Sequence, residues 1–356
     1  MRVLSVVGAR PQFVKSLPVS EALRERHDEV LVHTGQHYDE YMSEVFFEEL
    51  DIPEPAYNLG VGSASHGVQT ARMLTGIEEL VETETPDVVL VYGDTNSTLA
   101  GALAGAKTDP LVAHVEAGLR SHDREMPEET NRVVTDHVSD LLFVPTDRAR
   151  ENLQGEGITE GVHWTGDVML DTLQWARDRA LDHATALSDL ELDPGSYLLA
   201  TVHRAGNTDD EDALTGIVEA LARAPSPVVF PAHPRTKERL RTFGLWEDAT
   251  NRLTVIEPVG YLDFIQLLDG ATAVATDSGG VQKEAYFLGT PCVTLREETE
   301  WPETVEAGWN WLVGADPDRI EDALTGPEPP ESRPDLYGDG AAAARVVDAL
   351  ETRTSQ

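Results

Sequence analysis

Three carboxylates stand where a sheet would present them to a ligand. Asp94 follows the apolar run 88–91 in Tyr92-Gly93-Asp94-Thr95, Glu116 closes His114-Val115-Glu116, and Glu128 opens Glu128-Glu129-Thr130-Asn131-Arg132. Carboxylates brought together above one sheet edge push some of their pKa values up. That suits removal of a proton from carbon, or its delivery to a sugar position. The competing reading is that of solvated acids in an acid-rich chain, which fits Glu125 and Glu129 best; Asp94 also reads as a helix N-cap. A cap shared by Thr95 and Ser97 would free Asp94. Glu116 resists the bland reading most, because a carboxylate at the exit of a buried strand is costly unless paired or used. Arg132, one turn after Glu128, either neutralises these acids or meets a phosphate.

A second group of residues suits an anion. Ala275-Thr276-Asp277-Ser278-Gly279-Gly280-Val281 reads as a strand, a two-glycine turn and a helix start. Free N–H groups and the positive end of the helix dipole point out of such a turn, and glycine lets backbone approach a phosphate. Ser278 adds a hydroxyl, and Glu284, farther along the helix, reaches toward ribose hydroxyls. An ordinary turn with Ser278 as N-cap competes with this reading. Arg10 and Lys15 flank another helix start, where two cations oppose the dipole and call for an anion. His203 and Arg204 follow a further strand. His37 reads as a solvated loop residue or a ligand contact. Tyr261 and Phe264 share a short helix and either flank a nucleobase or pack in the core.

The elements that must position these residues alternate β-branched runs with amphipathic helices. The runs are 3–7, 30–33, 88–91, 112–115 and 141–144, then 197–201, 228–230, 253–256, 271–275 and 292–295. This is the pattern of parallel sheets with crossover helices. Ten strands overfill one sheet, so the expectation is two doubly wound α/β domains, 1–167 and 168–356. The polar stretch 167–194 bridges them, and the last helix, 341–352, packs back on the first domain. Ligands bind beyond the carboxyl ends of such strands, so two facing domains would enclose an interdomain cleft.

The formal net charge is −37, and lysine occurs only as Lys15, Lys107, Lys237 and Lys283. Such a surface repels nucleic acid and anionic membranes. The acids are spread through helices, which fits a high-salt cytoplasm where screening removes self-repulsion. Cys292 is the single cysteine, so neither an internal disulfide nor a cysteine-based metal cluster forms. The chain starts directly on a strand, without a signal peptide or an 18-residue apolar span, and a cytoplasmic location is expected.

Taken in order, Gly8-Ala9-Arg10-Pro11, Thr34-Gly35-Gln36-His37, Gly93-Asp94-Thr95, His114-Val115-Glu116-Ala117-Gly118-Leu119-Arg120, Met126 to Arg132, Thr165-Gly166-Asp167, His203-Arg204, Thr276 to Gln282 and Thr299-Glu300 resemble the non-hydrolysing UDP-N-acetylglucosamine 2-epimerases. The motifs span nearly the whole chain. The resemblance implies a GT-B-like fold of two Rossmann-like domains, a homodimer, and inversion at C2 of a UDP-N-acetylhexosamine without metal or nicotinamide. By motif position it implies that Asp94, Glu116, Glu128 and His203 serve catalysis. It likewise implies that Arg10, Lys15, Arg132, Phe264, Ser278, Gly279, Gly280 and Glu284 hold the UDP-sugar. Gln36, Arg72 and Arg204 fall where some members bind a second, activating UDP-sugar.

The chain departs from the pattern at Thr299-Glu300-Trp301-Pro302, where many members carry arginine in place of Trp301. It also departs at Ala205-Gly206-Asn207, and the segment between Arg120 and Met126 is shorter. These departures keep open a related substrate such as a UDP-2,3-diacetamido-glucuronate. A hydrolysing epimerase and a GT-B glycosyltransferase remain as alternatives, the latter opposed by three carboxylates where an acceptor site belongs.

Overall fold

The computed structural model describes residues 1–36, 54–325 and 328–354; His37 and the side chain of Arg10 lie outside the described residues. The chain divides into two compact units, Met1–Gln174 with Asp335–Gln356, and Trp175–Pro334. The break thus falls inside the helix Val168–His183, not ahead of it at 167/168, and the closing segment belongs to the first unit.

The first unit is built on β1 (Arg2–Val7), β2 (Asp28–His33), β3 (Tyr57–Asn58), β4 (Val88–Tyr92), β5 (Leu111–Val115), β6 (Leu141–Val144) and β7 (Val162–Trp164). They lie in the order β3-β2-β1-β4-β5-β6-β7, and neighbours pair in parallel. The second unit holds β8 (Leu198–Thr201), β9 (Val228–Pro231), β10 (Thr254–Ile256), β11 (Val274–Thr276), β12 (Cys292–Thr294) and β13 (Asn310–Leu312). Their order is β10-β9-β8-β11-β12-β13, again parallel. The architecture is α/β with two parallel sheets.

The central strands are apolar on both faces because helices cover both. Val3, Leu4, Val6 and Val7 of β1 and Val88 to Tyr92 of β4 are fully buried. Each such side chain contributes about 1.5–3 kcal/mol by leaving water. An exposed ion pair contributes roughly 0–1 kcal/mol. The cores therefore carry the stability, not the many surface charges. In the first unit Met73 and Ile77 of the helix His66–Glu84 close one face of the sheet. In the second, Leu214, Ile217 and Leu221 of the helix Glu211–Ala222 do the same.

The polar stretch after Asp167 is two helices, Val168–His183 and Ala186–Asp189, not one. The run 271–275 contributes to strand only from Val274, since Ala271 ends the preceding helix. The last helix, Ala342–Thr354, packs on Arg10–Arg26, where Arg26 meets Asp348 at 2.8 Å and His27 meets Glu351 at 2.7 Å. No described helix is long and apolar enough to cross a membrane.

Candidate active site

Strand order reverses between β1 and β4 in one sheet, and between β8 and β11 in the other. Open α/β sheets bind ligands beyond the carboxyl ends of strands at such switch points. Lys15 lies in the helix after β1, Asp94 beyond β4 and Glu116 directly after β5. In the second unit His203 follows β8 and Ser278 follows β11. The chemistry-bearing residues thus gather in two groups, each on its own sheet.

In the first unit Thr95, not Asp94, caps the helix Asn96–Gly105: its hydroxyl accepts from Thr98 N, and the Thr98 side chain returns a bond to Thr95 N. Asp94 is thereby left to pair with Arg132 Nη2, while Arg132 Nη1 donates to Glu129 at 3.0 Å. Glu129 is not the solvated acid expected of it. It is buried and accepts from Ser121 N, Ser121 Oγ and His122 N at 2.9–3.0 Å. Burial pushes its carboxyl up, but these donors and Arg132 outweigh that and hold it below the usual range. Glu128 is half-buried in the first turn of the helix that carries Arg132, Pro127–Val138, and no described residue pairs with it.

Glu116 is buried and ion-paired with Lys15. Its backbone lies in the left-handed region at φ 71°, a conformation that costs a non-glycine residue about 1–2 kcal/mol. Strain of this kind concentrates at functional sites. Gly93 makes room for the pair. Its φ is +62°, and a Cβ there would stand 3.3 Å from Glu116 Oε2 and 3.5 Å from Lys15 Nζ. Gly93→Ala is therefore expected to lose about 1–2 kcal/mol of stability from the positive φ alone. Thermal unfolding measures this, and an unchanged midpoint would mean that the turn relaxes freely.

Several positioning residues were not legible as such. Gln12 accepts from Gly8 N and Ala9 N at 2.9 and 3.1 Å and donates to Tyr92 O at 2.8 Å, joining the β1 and β4 exits. The fully buried His114 meets Asp136 Oδ1 through Nδ1 and Gly93 O through Nε2, both at 2.7 Å. Asp136 Oδ2 also accepts from Arg120 Nη1 at 2.7 Å and Gly118 N at 3.1 Å. Burial pushes the Asp136 carboxyl up, yet His114 and Arg120 hold it below the usual range. The available signal was a set of polar residues inside otherwise apolar motif stretches. Gln36 is buried, its Oε1 accepting from Ser97 N at 3.0 Å and Ser97 Oγ at 2.7 Å, while Arg72 is exposed.

In the second unit Ser278 is the N-cap of the helix Gly279–Leu288, its hydroxyl accepting from Val281 N. The cap and the anion readings coexist here, because the cap leaves the first N–H groups of the helix outside its own hydrogen bonds. Asp277 is fully buried and organises the next turn. It accepts from His203 N at 3.0 Å, Arg204 N at 3.0 Å and Asn207 Nδ2 at 3.1 Å. Glu284 accepts from Tyr261 Oη at 3.1 Å, and Phe264 is partly buried against the core. Glu300 binds Arg296 through both oxygens at 2.8 and 2.9 Å, with Arg204 at 3.6 Å, beside Gly279. Burial raises the Glu300 carboxyl, and Arg296 then Arg204 outweigh it.

Trp301 closes the same turn. Its indole N–H donates to Gly279 O at 2.9 Å, and Lys283 Nζ lies 4.3 Å from the ring centroid. A buried ammonium of this helix thus stands at the side chain that replaces the expected arginine. Lys237, also buried, pairs with Glu257.

Parallel sheets carrying acids, cations and a glycine turn at their switch points define a GT-B-like α/β enzyme. The family model for UDP-N-acetylglucosamine 2-epimerase matches residues 21–351, and the chain belongs to that family of carbohydrate epimerases. It is 50% identical over 354 residues to a UDP-N-acetylglucosamine 2-epimerase homolog of Methanococcus maripaludis, covering 98% of this chain and 99% of that one. It is 49% identical over 360 residues to the UDP-2,3-diacetamido-2,3-dideoxy-D-glucuronate 2-epimerase of Pseudomonas aeruginosa, with the same coverage. The crystal structure of Methanocaldococcus jannaschii UDP-GlcNAc 2-epimerase with UDP-GlcNAc and UDP matches at TM-score 0.84 and 42% identity, covering 99% of this chain and 100% of that one.

Proposed function

We propose that this chain interconverts UDP-GlcNAc and UDP-ManNAc by eliminating and re-adding UDP. One of Asp94, Glu116 and Glu128 removes the C2 proton, and the bond from C1 to the diphosphate oxygen breaks. This leaves 2-acetamidoglucal and UDP. Protonation of C2 from the opposite face and attack of the diphosphate oxygen on C1 complete the inversion. In this reading the first unit supplies the acid and base groups. Ser278, Gly279, Gly280, Glu284, Phe264 and His203 hold UDP, with Arg10, Lys15 and Arg132 meeting its charge as it leaves. The chemistry asks for no metal or nicotinamide. The protein works as a cytoplasmic homodimer adapted to high salt.

The observation that carries this reading is Glu116, a buried carboxylate on a left-handed backbone at the exit of β5, paired with Lys15 against the Gly93 turn that leads to Asp94. The relative that acts on a UDP-diacetamido-glucuronate, together with Trp301, supports that sugar as the second reading.

The test is incubation with each UDP-sugar in D2O and molar KCl, followed by NMR. The expected result is UDP-ManNAc from UDP-GlcNAc with deuterium at C2. Turnover of the diacetamido-glucuronate alone would move the assignment to that sugar. Free ManNAc with UDP would replace epimerisation by hydrolysis, and no turnover of either sugar would overturn the proposal.

A further inference from the structure

The three carboxylates come from three different elements. Asp94 follows β4, Glu116 follows β5, and Glu128 opens the helix Pro127–Val138. One buried pair touches all three of these elements. His114 is the fourth residue of β5, and Asp136 lies two turns along the helix from Glu128. The imidazole's Nδ1 faces Asp136 Oδ1 and its Nε2 faces Gly93 O, the carbonyl immediately before Asp94. Gly93 O has no proton to give, so Nε2 is the donor there. Gly93 N in turn donates to Val115 O at 3.0 Å, so the β4 turn is fastened to β5 at both its polar atoms. Asp136 Oδ2 takes Gly118 N and Arg120 Nη1, two and four residues beyond Glu116. Glu116 is thus bracketed by His114 before it and Gly118 after it, both tied to one carboxylate. That bracket accounts for a glutamate holding φ 71°, since strained backbone persists only where its surroundings over-determine it.

We propose that His114 and Asp136 are positioning residues that fix Asp94, Glu116 and Glu128 relative to one another. The pair acts through backbone and helix placement and does not touch the substrate. The assignment rests on the epimerase reading for its activity readout, but its structural readout does not.

The variants are His114→Gln and Asp136→Asn. The glutamine amide keeps one of the two imidazole bonds at most. The asparagine retains the volume of Asp136 and an acceptor for Arg120. Crystal structures, UDP affinity by calorimetry and steady-state kinetics are compared with wild type. Displacement by 1 Å costs about a hundredfold in rate, so His114→Gln is expected to lose about that factor in kcat. Its UDP affinity should stay within about threefold, because four of the proposed UDP residues, His203, Phe264, Ser278 and Glu284, belong to the unit Trp175–Pro334, and Arg10, Lys15 and Arg132 are assigned to the charge that develops as UDP leaves. The crystal structure should show Gly93–Asp94 shifted and Glu116 out of the left-handed region. Asp136→Asn should show a smaller kcat loss with the same unchanged UDP affinity. This variant carries the test if His114→Gln does not fold. An unmoved Asp94 and Glu116 in the variant structures would overturn the proposal whatever the substrate. So would an unchanged kcat, or a parallel loss of kcat and UDP affinity. Failure of wild type to turn over either sugar sinks the epimerase reading instead, and leaves the structural comparison to decide.

Discussion

Glu116→Gln is expected to lose about 10²–10⁴-fold in kcat, the range that a positioned acid or base contributes. Glutamine keeps the volume of glutamate, and its carbonyl can still accept from Lys15. The turn at Gly93 therefore has no steric reason to move. What the substitution removes is a group able to take up and release a proton. UDP binding should persist, and deuterium incorporation at C2 should fall with kcat. A variant that exchanges the C2 proton and epimerises within tenfold of wild type would remove Glu116 from the chemistry and leave its pairing with Lys15 structural. The matching experiment at Asp94 is less clean, because Arg132 loses the partner that competes with Glu129 for it.

Asp277→Ala has the largest expected effect on stability. The carboxylate is fully buried and collects His203 N, Arg204 N and Asn207 Nδ2, while Asn207 also reaches Leu295 O at 3.0 Å. Alanine leaves these donors without an acceptor, at about 1–3 kcal/mol for each that water does not reach. His203 and Arg204 are exposed, so their amides recover part of that cost, and Asn207 is buried. A net loss of about 3 kcal/mol follows, or roughly 6–12 °C for a unit of this size. The turn that carries His203 should loosen with it and weaken UDP binding. A melting temperature within 2 °C of wild type, with unchanged UDP affinity, would show that the turn holds its shape without Asp277.

Much of this architecture is legible in the sequence because the central strands are covered on both faces and must be apolar throughout. The unread strands are β3, β7 and β13, and each lies at the edge of its sheet. An edge strand of two or three residues has one neighbour to match and needs no long β-branched run, so Val162-His163-Trp164 leaves little periodic signal. The acids at strand exits were legible for a related reason: the position after a buried strand is where a charge demands explanation. Their partners were not. Lys15 reads as a cation at a helix start, and only folding brings it to Glu116, 101 residues away. Glu129 reads as one more acid on a charged loop, and its burial depends on how residues 121–122 turn back over it. His114 reads as part of a motif without a task, because its two partners come from the turn after β4 and from a later helix.

The lysines carry a practical consequence. Of the four in the chain, Lys15 is engaged by Glu116, Lys237 by Glu257 and Lys283 by the face of Trp301; Lys107 stands exposed just after the helix Asn96–Gly105. Amine-reactive dyes and cross-linkers need an accessible amine, so on the folded chain Lys107 is the lysine open to them. A protein of this size that tags at one side chain can be tethered in a single orientation. Delayed labelling at Lys15, Lys237 or Lys283 would then report, residue by residue, when each ion pair or ring contact opens.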